Sequence, residues 1–259
     1  MKSKVLVLSG TAILCLLLAA SPYAMAQEPA PLPIPNINID IGSNDPGDPS
    51  GAASTVSIVL LITLLSLAPS FLVMMTSFAR IVIVLGFVRT SLSTHQMPPN
   101  PVLIGLALFL SFFVMAPTFS EINSTALQPF LNGEIEQSEA LSNAAIPLKE
   151  FMGKHTREKD LKLFLDYSNA EPPATIQDVP LTALVPAFAI SELKSAFQMG
   201  FMIFIPFLVI DMVVASTLMS MGMMMLPPVM ISLPFKILLF ILVDGWYMVV
   251  KSLLISFST

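Results

Sequence analysis

The chain has 259 residues, of which 55% are hydrophobic and only 11% charged. Soluble domains carry about 25% charged residues, so the composition excludes an ordinary soluble domain and points to a membrane protein. The net charge of −5 argues against a general nucleic-acid binder.

The opening residues, MKSKVLVLSGTAILCLLLAASPYAMAQ, have the plan of a secretory signal peptide. Lys2 and Lys4 form a basic start, Val5 to Ala20 are mostly apolar, and Ala24-Met25-Ala26 is a small-x-small cleavage pattern. Cleavage is expected between Ala26 and Gln27, making residues 1–26 the leader; an uncleaved anchor helix is the alternative. Leu14 before Cys15 lacks the small residue of a lipobox. Cys15 is the single cysteine. The mature chain is therefore expected to hold no disulfide and no thiol chemistry. Residues 27–53 are rich in Pro, Asn, Asp, Gly and Ser without a repeating apolar face, which predicts an extended tether on the outer side.

Hydrophobic sequence runs from Val56 to Ala79, about 36 Å as a helix and enough to span a bilayer. Pro69 is expected to kink it. Ile81 to Val88, between Arg80 and Arg89, is too short to span. It reads as the end of a long helix or as a segment buried in protein. HQMPPNP follows at residues 95–101, and Val102 to Phe119 form a second apolar run. From Ser120 to about Leu184 the chain turns polar. Ile146, Phe151, Leu161, Phe164 and Leu165 could share one apolar side, which predicts a small helical domain outside the membrane. His155, between Lys154 and Arg157, has no partner motif and reads as a solvated surface histidine.

Pro186 to Leu226 is a long apolar arm interrupted by Glu192, Lys194, Pro206 and Asp211. Val229 to Phe257 is a second, interrupted by Lys236, Asp244 and Lys251. The residue before a proline avoids the α region. Pro98-Pro99 and Pro227-Pro228 are therefore expected at the tips of two helical hairpins. The fold expected is an all-α membrane protein: a first hydrophobic hairpin over residues 54–120, a polar extracytoplasmic helical domain over 121–185, and a second hairpin over 186–259. A cleaved leader with alternating arms places Arg80 and Arg89 inside, in keeping with the positive-inside rule, and the polar domain outside.

Each charge at mid-bilayer costs about 2.5–3.5 kcal/mol. Pairing inside one bundle would satisfy these groups, and so would contact with neighbouring subunits around a watery lumen. Lys236 and Asp244 lie about 80° apart around a helix and too far along it to pair with each other. Partners on other subunits are therefore plausible for Glu192, Lys194, Asp211, Lys236 and Asp244, which favours an oligomer.

No enzyme is expected. Neither Asp211 nor Asp244 follows the Gly-x-Gly of an intramembrane aspartyl protease, and neither His-Glu-x-x-His nor a phosphate-binding glycine loop occurs. No cofactor or metal is implied. An ion-coupled secondary transporter with Asp211 as its titrating group is the rival reading.

MSMGMMMLPPVM, residues 219–230, holds six methionines in twelve residues beside the second double proline. Helix tips usually meet water and are polar. This tip is apolar, so copies of itself around an axis are its simplest cover. Methionine is flexible and fills irregular gaps, which suits a seal that opens and closes. Plain packing or lipid contact would use the same residues.

Residues 186–228, PAFAISELKSAFQMGFMIFIPFLVIDMVVASTLMSMGMMMLPP, resemble the FliP family of flagellar biosynthetic proteins. So do LPFKILLFILVDGW at 233–246 and SFARIVIVLGFVRTSL at 77–92. The likeness covers roughly residues 54–259. It implies a subunit of the type III secretion export gate at the basal body, in the bacterial inner membrane. The resemblance further implies about five copies joined with FliQ and FliR in a conical helical channel, completed by FlhA and FlhB. Such a core sits largely above the bilayer plane, which would account for the charges. The family's methionine gasket falls on Met223, Met224 and Met225, and the cargo implied is unfolded flagellar subunits.

Overall fold

A computed structural model describes residues 49–94, 97–168, 173–223 and 226–258. The expected leader, its cleavage site at Ala26–Gln27 and the tether to residue 48 lie outside the described residues. The chain divides into two compact units, residues 1–54 and 55–259. Every regular element among the described residues is helical. In order they are α1 (Pro49–Met74), α2 (Phe78–Ser91), α3 (Asn100–Leu131), α4 (Gln137–His155), α5 (Glu158–Ser168), α6 (Leu181–Ser220), α7 (Pro228–Leu242) and α8 (Gly245–Ile255). A π-helical stretch at Asn123–Leu127 runs inside α3, and a 3₁₀ turn at Ile176–Asp178 precedes α6.

Among the described residues two helices are long and apolar enough to cross a membrane: α3, with 32 residues, and α6, with 40. At 1.5 Å per residue α6 is about 60 Å long, twice the bilayer's hydrocarbon thickness. A third span arises if α7 and α8, bent by 62° at their junction, count as one. The chain is thus an all-helical membrane protein.

The short apolar run between Arg80 and Arg89 is α2, and it is buried in protein. Ile81, Val84, Leu85 and Val88 follow the i, i+3, i+4, i+7 spacing of one helix face and are fully buried. Each such side chain contributes about 1.5–3 kcal/mol on burial. They meet Leu103 and Ala107 of α3, Ala196 and Phe207 of α6, Phe240 of α7, and Val249 and Leu253 of α8. Helices α2 and α3 run antiparallel. Ser77 Oγ lies 3.1 Å from Ser111 Oγ at one end, and Arg89 Nη1 donates to Asn100 Oδ1 at 2.5 Å at the other. Helix α6 approaches α2 at Gly200, where a Cβ would sit 2.4 Å from the Phe87 ring.

A second core joins the polar segment to the base of α6. Met115, Phe151, Met152, Val179, Leu184 and Phe188 form it, with Leu161 packed alongside. Phe257, beyond the end of α8, packs against both cores. Ile146, expected on the same side as Phe151, is exposed instead. Five residues turn a helix by about 140° beyond a full circle, so the two point in different directions.

Prolines start two of the long elements. Pro99 is the residue before α3, and Pro227 precedes α7, whose first residue is Pro228. Proline suits these places because the first N–H groups of a helix have no partner. Helix α6 begins at Leu181, before the expected Pro186, and stops at Ser220, before the expected Leu226. The cause of the early stop is Gly222.

Candidate functional site

Gly222 adopts φ 74°, a conformation glycine enters without steric cost. Its N–H donates to the Met219 carbonyl and the Met223 N–H to the Leu218 carbonyl, both at 3.0 Å. These two bonds close a Schellman motif that satisfies the last carbonyls of α6. Met223 therefore lies beyond the helix rather than on it, and its side chain is exposed, as are those of Met219 and Met221. Met224 and Met225 lie outside the described residues. Leu226 and Met230, on the α7 side, are exposed as well. The described residues of the turn between α6 and α7 are thus largely apolar and unburied within the single chain.

Behind this turn lies a charged clasp. Lys236 of α7 is 1% exposed and donates from Nζ to Asp211 Oδ2 of α6 at 2.6 Å. It also donates to Ser93 Oγ at 2.7 Å, on a residue with φ 57° just past α2. Ser232 Oγ, one helical turn before Lys236, donates to Asp211 Oδ1 at 2.5 Å. An ammonium buried in an apolar bundle is tolerable only when its donors are met, and these partners meet two of its three.

A second ion pair lies nearer the polar segment. Arg80 of α2 donates from Nε to Glu192 Oε2 at 2.8 Å and from Nη2 to Glu192 Oε1. Both side chains are buried, and the two-pronged geometry is the one a guanidinium forms best with a carboxylate. Arg80 Nη1 donates to the Ser256 carbonyl and hydroxyl, each at 3.0 Å, and the guanidinium carbon sits 4.0 Å above the Phe257 ring. The sequence pattern points Glu192, Asp211 and Lys236 toward neighbouring subunits; the structure gives each a partner inside the chain. Folding brings α2 and α7 against α6 and supplies the counter-charges locally. Lys194 and Asp244 are exposed, with no ion pair among the described residues. Asp244 holds φ 50° at the bend between α7 and α8.

His155 is not a solvated surface histidine. Its ring stands edge-on to Phe151 at 4.9 Å and to Phe257 at 5.2 Å. Burial, reinforced by the charges of Arg80 and Lys154, lowers its pKa from 6.5 to about 4. The segment that carries it folds back onto α6, which the run of charges around it hid. Nearby, Ser191 Oγ of α6 donates to Asp160 Oδ2 at 2.7 Å and accepts from the Arg157 N–H at 3.1 Å. The Ser191 hydroxyl, with Arg157 beside it, holds the Asp160 carboxyl below the usual carboxylate range.

Sequence reasoning flagged Glu192, Asp211 and Lys236 as groups in need of partners and missed the partners themselves. Arg80 carried a signal, a lone base opening an apolar run. Ser93, Ser232 and Phe257 carried none. Among the described residues no three of His, Cys, Asp and Glu gather to hold a metal.

The outer faces are apolar. Phe109, Phe112 and Phe113 of α3, Phe201 and Met202 of α6, and Ile241 and Leu242 of α7 are all exposed. Glu192 and Lys236 are buried while these apolar faces lie open, so the chain is finished only by lipid or by other protein.

Comparison with known proteins agrees with this build. The sequence model of the FliP family matches residues 61–253. The flagellar biosynthetic protein FliP of Bacillus subtilis is 69% identical over 210 residues, covering 81% of this chain and 95% of that protein. The protein of the same name from Caulobacter vibrioides is 55% identical over 78% of this chain and 76% of its own length. Its counterpart from Aquifex aeolicus is 47% identical over 79% and 86%. The residues that build α2, the two ion pairs and the methionine turn fall within the matched range, and the chain belongs to the FliP family.

Proposed function

We propose that this chain is a core, channel-forming subunit of the flagellar protein export gate, passing unfolded flagellar subunits. The observation that carries the reading is membership of a family whose relatives are named flagellar biosynthetic proteins. About five copies form a closed assembly with FliQ and FliR, served by FlhA and FlhB, at the basal body in the inner membrane. Two hydrophobic hairpins, tipped by Pro98-Pro99 and Pro227-Pro228, form its wall. The polar helical domain over 121–185 lies on the periplasmic side, and the assembled core stands partly above the bilayer. The apolar outer faces of α3, α6 and α7 support this, since sister copies would cover them. Lys194 and Asp244, exposed and in no ion pair among the described residues, are the charges for neighbouring copies. No catalytic step is assigned to any residue.

Met223, Met224 and Met225 form the collar that closes the channel. Met223 lies past the helix end, which lets it repack without moving α6. The test is triple replacement of Met223, Met224 and Met225 by alanine in the membrane-assembled complex. Raised ion leakage with assembly retained is expected. Unchanged leakage would reject the collar. The transporter reading is not adopted: Asp211 is engaged by Lys236 and Ser232, and the relatives are named for flagellar biosynthesis.

A further inference from the structure

We propose that α8 is a hinged strap, with its hinge at Asp244–Gly245 and its clasp at Ser256–Phe257, that opens away from the first core without unfolding it.

The hinge is a built feature. Asp244 sits in the left-handed region, uncommon for a residue with a side chain, and α8 leaves α7 at 62°. Gly245 follows because the Phe240 ring occupies the space of a side chain, 2.3 Å from where a Cβ would be. Phe240 also holds Trp246 edge-on, with ring centres 5.4 Å apart. The pivot is therefore gripped on the α7 side while the rest of α8 points away from it.

The clasp lies at the other end. Arg80 offers Ser256 its Nη1 and offers Phe257 its face, and it is itself fixed by Glu192 through Nε and Nη2. The anchor thus stays in place whether or not the strap is seated. Phe151, stacked at 6.4 Å, and His155 complete the socket for the Phe257 ring.

Between hinge and clasp the strap is lightly held. Past Gly245 only Val249 and Leu253 of α8 are buried, whereas Tyr247, Met248 and Ile255 face out. Gln198, Met199, Met202 and Ile203 of α6 and Ser252 of α8 line a cleft of about 260 Å³ between the two helices. A helix fixed at both ends and underpacked between them moves as a unit once one end is freed.

The test uses the full chain in its membrane complex, made cysteine-free by Cys15→Ser, with Leu253→Cys as the reporter. Leu253 is 1% exposed, so a maleimide reaches it only when the strap lifts. Phe257→Ala should speed labelling about tenfold and Phe257→Tyr should leave it near the starting rate, as expected of local opening. Ala107→Cys, fully buried on α3 in the same core, should not respond. If Phe257→Ala fails to assemble, Phe257→Leu serves, since it keeps apolar bulk and removes the ring face from Arg80; it should speed labelling about threefold. Equal rates at Leu253→Cys with and without the ring would overturn the proposal, and so would an equal rise at Ala107→Cys, which indicates general loosening.

Discussion

Arg80 satisfies three groups with one guanidinium: Glu192, Ser256 and the face of Phe257. Removing one member of such a buried pair leaves an uncompensated charge, so Glu192→Ala should destabilise the chain by about 3–5 kcal/mol. Thermal melting of the solubilised complex measures the loss, and an unchanged melt would show that Arg80 finds another partner. His155 makes a prediction of opposite origin. Its neutral form is favoured in the folded chain, with a pKa near 4 against 6.5 when unfolded. Between those values the unfolded chain binds a proton that the folded chain does not. Stability should be full above pH 6.5 and fall as pH drops toward 4. His155→Phe should flatten that part of the profile. Asp160, whose carboxyl the Ser191 hydroxyl holds low, loses its own contribution further toward acid, so the comparison with His155→Phe is what assigns the step.

At the scale of the element, the close approach of α2 and α6 depends on a missing side chain. Gly200→Ala would drive a methyl group into the Phe87 ring near its attachment point, where a rotamer change gives little relief. Overpacking of this kind costs about 1–3 kcal/mol, and a smaller residue at 87 should recover part of it. A double variant, Gly200→Ala with Phe87→Leu, melting above Gly200→Ala alone, would confirm the contact. The elements were also where the sequence was most legible. Long apolar runs marked α3 and α6 as helices, although charges and a proline interrupt the second, and the double prolines marked where α3 and α7 begin. Helix ends were less legible, because Gly222 stops α6 by a backbone conformation that apolar periodicity does not record.

For the whole molecule, composition alone told that charge had to be satisfied somewhere, but not by which residue. Arg80 and Glu192 are 112 residues apart, and Lys236 and Ser93 are 143. Such pairings follow from how helices assemble, not from local pattern, so the sequence alone leaves neighbouring subunits as good a source of partners as the chain itself. The same accounting leaves the outside unfinished. A chain with exposed Phe109, Phe113, Phe201 and Leu242 should not stay dispersed alone in water. Extraction in mild detergent should yield it in a large assembly, and a stable detergent-free monomer on a sizing column would contradict that reading.

The glycine stop after α6 separates two kinds of tolerance to length change. One residue added within α6 between Glu192 and Asp211 would turn the two carboxylates about 100° relative to each other, so that Arg80 and Lys236 could not both be met in place. One residue added after Gly222 and before Pro227 would lengthen a connection and leave the register of both flanking helices alone. Evolution and protein engineers alike can therefore vary the length of this turn without retuning the rods that flank it.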